Sequence, residues 1–78
     1  MDRALLLEHR EQTLGRLAES ERQLARQEEL IARLRSEGRS TTDAEAFLSL
    51  FERVNDSHRA GLARIERELA APPHPLLH

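Results

Sequence analysis

Apolar positions recur three and four residues apart through two long stretches, and one short stretch between them interrupts both. In the first, Leu17, Leu24 and Ile31 stand seven residues apart, each followed by alanine (Ala18, Ala25, Ala32). A heptad of this kind keeps one helix face turned toward a partner. The companion positions are Thr13, Ser20, Gln27 and Leu34, so that face is half polar, and Leu14 is expected to join it. In the second stretch the expected stripe is Ala44, Phe47, Phe51, Val54, His58, Leu62, Ile65 and Leu69, with Leu48 and Leu50 widening it near the turn.

Between the two lies Ser36-Glu37-Gly38-Arg39-Ser40-Thr41-Thr42. Gly38 suits the left-handed backbone that closes a helix. Thr42-Asp43-Ala44-Glu45 reads as a capping box, with Asp43 placed well for the helix dipole. The pattern therefore predicts an all-α, coiled-coil-like antiparallel hairpin over 1–71, with helix 1 at about 2–37, a turn at 38–42 and helix 2 at about 43–71. Pro72 and Pro73 end the second helix, because proline lacks the amide hydrogen and clashes with the preceding turn. Residues 72–78 are expected to form a Pro-rich extended tail, with folding back over Leu5, Leu6 and Leu7 as the alternative.

A tight turn implies that facing residue numbers add to roughly 79, to within one helical turn. Phe47 then faces Ile31 and Ala32, Val54 faces Leu24 and Ala25, Leu62 faces Leu17, and Ile65 faces Leu14. The same register sets His58 opposite Glu21, a candidate buried polar pair. A structural histidine is one reading of that position, and a pH-sensitive or metal-binding one is the other. Gly15 interrupts the first helix and calls for close packing of another backbone in compensation.

Composition narrows the function. The chain has 78 residues, 38% of them hydrophobic, and Phe47 and Phe51 are its only aromatics. So small a domain has little core of its own, and without cysteine neither a disulfide nor a thiolate zinc site can reinforce it. Oligomerisation, with a homodimer forming a four-helix bundle, is the expected remedy. The net charge of −2, with acids interleaved among twelve basic residues that are all arginine, argues against a nucleic-acid surface. The apolar run at residues 4–7 is too short for a membrane span or a signal segment, so a soluble cytoplasmic protein without membrane attachment is expected.

Catalytic patterns are missing: no glycine-rich phosphate loop, no G-x-S-x-G and no H-E-x-x-H occurs. His9, His74 and His78 offer at most an adventitious metal site. The reading is of a non-enzymatic protein without metal or cofactor.

Arg26-Gln27, Ile31, Leu34, Gly38, Thr41-Thr42, Ala44, Leu48, Phe51-Glu52 and His58 together resemble a group of short, uncharacterised bacterial helical-hairpin proteins. The resemblance runs to Leu69 and implies a hairpin fold; it brings no catalytic or binding residue with it. The expected function is a self-associating interaction module. The alternative is a regulatory adaptor that binds a helix of a larger protein.

Overall fold

The computed structural model describes residues 2–71, and the predicted tail at 72–78 lies outside them. Two helices, α1 (Arg3–Ser36) and α2 (Thr42–Ala70), pack against each other, and no strand occurs among the described residues. At 1.5 Å per residue they are about 51 and 43 Å long.

Asp2 caps α1, its carboxylate accepting from the Ala4 amide at 3.4 Å where the helix dipole favours negative charge. At the other end Glu37 is the C-cap and Gly38 takes φ 70°. The Arg39 amide donates to the Leu34 carbonyl at 2.9 Å and the Gly38 amide to the Arg35 carbonyl at 3.0 Å. These are the paired bonds of a Schellman closure, which satisfies carbonyls the helix leaves free. Arg33 and Arg35 in the last turn complement the negative end of the dipole.

Because this closure finishes at Arg39, only Ser40 and Thr41 connect it to α2. The second helix consequently starts at Thr42 with Thr41 as N-cap, and the Thr42–Glu45 capping box does not form. Three residues beyond Thr41 stands Ala44, which has no carboxylate to reach back. Glu45, one position further on, accepts from the Thr41 hydroxyl at 3.1 Å and from Arg35 across the turn at 2.9 Å. The Thr42 amide turns to the Ser40 hydroxyl at 3.4 Å. At the far end Ala71 is extended (φ −66°, ψ 142°), as expected for a residue that precedes proline.

The buried line of α1 is Leu6, Thr13, Leu17, Ser20, Leu24, Gln27, Ile31 and Leu34, with Leu6, Ser20 and Ile31 most enclosed. Leu6 is one of three buried hydrophobic residues among those described, with Ile31 and Ala44. On α2 the line is Ala44, Leu48, Phe51, Asn55, His58, Leu62, Ile65 and Leu69. Leu48 and Asn55 thus take the places expected for Phe47 and Val54, which are exposed.

The reason is geometric. A continuous inner line alternates steps of three and four residues, as Leu48–Phe51–Asn55–His58–Leu62 does. The line through Phe47 and Val54 needs two successive steps of four, at His58 and Leu62, and swings off the contact. Leu14 is exposed for a similar reason: Thr13 occupies the inner line, and the next residue stands about 100° further round.

Candidate interaction surface

The hairpin has two unlike flanks. On one, ion pairs join α1 to α2 at three levels: Arg35 to Glu45 at 2.9 Å near the turn, Glu21 to Arg59 at 3.5 Å midway, and Arg10 to Glu66 at 3.4 Å toward the open end. Arg3 adds a hydrogen bond to the Leu69 carbonyl at 3.2 Å. Pairs this exposed contribute at most about 1 kcal/mol each. Their consequence is positional, since they favour this register and leave that flank charged.

The other flank is apolar along α2. Phe47 is 56% exposed, Leu50 45% and Val54 42%. The Phe47 and Phe51 rings stack with centroids 6.5 Å apart and planes 24° from parallel, giving this surface a fixed aromatic step. Beside it a groove opens between the helices. Phe51, Val54 and His58 form its α2 wall, and Arg16, Glu19, Ser20 and Gln23 form the α1 side. Among the described residues no ion pair crosses between the helices here. The ion pairs on this side lie within α1: Glu19 holds Arg22 at 2.8 Å and Arg26 at 3.5 Å. The hydrogen bond from Arg22, together with both positive charges, keeps the Glu19 carboxyl below the usual carboxylate range.

The expected Glu21–His58 pair is not present. Ser20 occupies the inner line at that level, so Glu21 projects onto the charged flank and binds Arg59. His58 is half-buried in the opposite groove. The buried polar groups are others. Gln27 reaches across to donate to the Ala44 carbonyl at 2.9 Å. Asn55 is only 4% exposed, and its Oδ1 has no hydrogen-bond partner. The strict alternation of three and four along the chain singles out Asn55, although Val54 beside it is the more hydrophobic.

Gly15, expected to meet a close backbone, has open space around it: a Cβ there would touch nothing within 4 Å. No group of three or more His, Cys, Asp or Glu side chains among the described residues is arranged to hold a metal ion, and His74 and His78 lie outside them. No helix among the described residues is long and apolar enough to cross a membrane. No family model, curated protein or solved structure matches the chain.

Proposed function

We propose that the protein is a non-enzymatic interaction module whose hairpin pairs with a second copy to make an antiparallel four-helix bundle. The observation that carries this reading is the flank of Phe47, Leu50 and Val54, three large apolar side chains exposed together on a chain of 78 residues. Clustered apolar surface of this kind commonly marks an association face. The scarcity of buried apolar residues inside the hairpin supports the same reading. Light scattering at micromolar concentration should give twice the 9.0 kDa chain mass, and a folded 9.0 kDa particle would sink the proposal.

The second reading is an adaptor that receives one helix of a larger protein. It is favoured by the groove, whose Phe51 and Val54 wall and Arg16, Glu19 and Gln23 rim have the form of a single-helix site. A tagged chain that recovers only itself from its native extract would count against the adaptor.

A further inference from the structure

We propose that two copies join through α2, antiparallel about a two-fold axis beside Val54, with Phe47 of each copy lying over Gly61 of the other. This rests on the self-association proposed above and specifies its face, direction and register.

Phe47, Val54 and Gly61 are seven residues apart, and Asp43, Leu50, Ser57 and Arg64 alternate with them along one line of α2. That line lies roughly a quarter turn from the residues that contact α1. Down it the side chains shrink from phenyl to isopropyl to hydrogen. A two-fold axis at Val54 reverses the order in the second copy, so the largest side chain meets the smallest at both ends. A parallel pairing would set Phe47 against Phe47 and leave a gap between the two glycines.

Gly61, like Gly15, has open space about it and can admit a close approach. Glycine weakens a helix interior, and a helix keeps one where something approaches closely. Nothing in the hairpin does so, since a Cβ at Gly61 would meet no atom within 4 Å. A neighbouring Phe47 ring from a second copy would use that space.

Charge selects the same direction. Asp43 near one end of the line and Arg64 near the other make no ion pair among the described residues. Antiparallel pairing brings each Asp43 within a turn of the other copy's Arg64, twice per dimer. Parallel pairing would set like charges together, which is unfavourable. The opposite flank is the poorer candidate, because closing it would desolvate the Arg35–Glu45 and Glu21–Arg59 pairs.

The chain contains no cysteine, so single thiols can be placed at will. Asp43→Cys and Arg64→Cys chains, mixed in equal amounts and treated with a short bismaleimide, should give mixed adducts in excess of both like-with-like adducts by mass spectrometry. In parallel, Asp43→Arg and Arg64→Asp should each weaken association about tenfold, and an equimolar mixture of the two should restore it. Ser49→Cys, near the charged flank, serves as the control position. Like-with-like adducts in excess, adducts at Ser49→Cys alone, or no recovery in the mixture would overturn this arrangement while a dimer mass kept self-association standing. A wild-type mass of 9.0 kDa would overturn both.

Discussion

Asn55→Leu exchanges a buried amide, whose Oδ1 has no hydrogen-bond partner, for an apolar side chain of similar size. Leaving such an acceptor buried and unpaired costs about 1–3 kcal/mol, and the substitution removes that penalty. Burying a leucine there adds about 1.5–3 kcal/mol in favour of folding, against which imperfect fit takes back up to about 1.5 kcal/mol. The inner line at this level includes Leu24, so an apolar neighbour is already in place. A net gain of about 2 kcal/mol is expected, which for a chain of this size corresponds to a melting temperature raised by roughly 10 °C. The assay is thermal unfolding followed by circular dichroism, with parent and variant at one fixed concentration because association shifts the midpoint. An unchanged or lowered midpoint would refute the reasoning, since it would mean that Oδ1 is satisfied in solution. Light scattering on the same samples checks that the particle size is unaltered, because a polar residue on such a line can specify the oligomer.

Phe51→Ala, at a half-buried inner position, should cost about 3 kcal/mol in a denaturant titration; a midpoint within error of the parent would place Phe51 outside the contact. Gly38→Ala should cost about 1 kcal/mol through its positive φ alone, there being open space for the methyl group. Thr42→Ala should change stability by less than about 0.5 kcal/mol, because no capping bond is lost, and equal losses from these two would contradict the turn described above. Glu19 should titrate at lower pH than an isolated glutamate in carboxyl-detected NMR, and Arg22→Gln should move it back up. Since its folded pKa is the depressed one, its small stabilising contribution is present above the ordinary glutamate pKa and disappears as pH falls through the lowered value. An unmoved titration in Arg22→Gln would show that the pair does not persist in solution.

The two helices were legible because their stop and start signals are local. Gly38 closes α1 through backbone conformation, and no distant contact is needed to place it. The cap of α2 was misplaced by one residue for an equally local reason: Thr41 and Thr42 offer the same hydroxyl, and only the closure at Arg39 decides which becomes the cap. The inner face was harder to read. On α1 the recurrence of Leu17, Leu24 and Ile31 already named it, together with the polar companions Thr13, Ser20 and Gln27. On α2 hydrophobicity and geometry disagree: Phe47 and Val54 are more apolar than Leu48's partner on the line, Asn55, yet they lie outside it. Choosing by hydrophobicity merged two adjacent lines of α2 into one broad stripe. The pairing of His58 with Glu21 followed from residue number alone, although a shift of one residue rotates a side chain about 100° round a helix.

That disagreement bears on function. A helix pair meant to stand alone would set its most apolar side chains on the contact between its helices. Here the contact admits Thr13, Ser20, Gln27, Asn55 and His58 among its leucines and isoleucines, while Phe47, Leu50 and Val54 face outward. Polar residues on that line stabilise weakly but select a register, since a shifted pairing would strand more polar groups than the Asn55 oxygen, the one buried side-chain atom left unpaired among the described residues. Gln27 acts in this sense through its bond to Ala44, and the three exposed ion pairs act in the same sense from the flank. The inner face is therefore suited to specifying how α2 lies on α1, and the outer line of α2 offers apolar surface still to be buried. Under the self-association proposed here, the second copy would supply that burial. The hairpin would reach its full stability only in the assembly that the outer line directs.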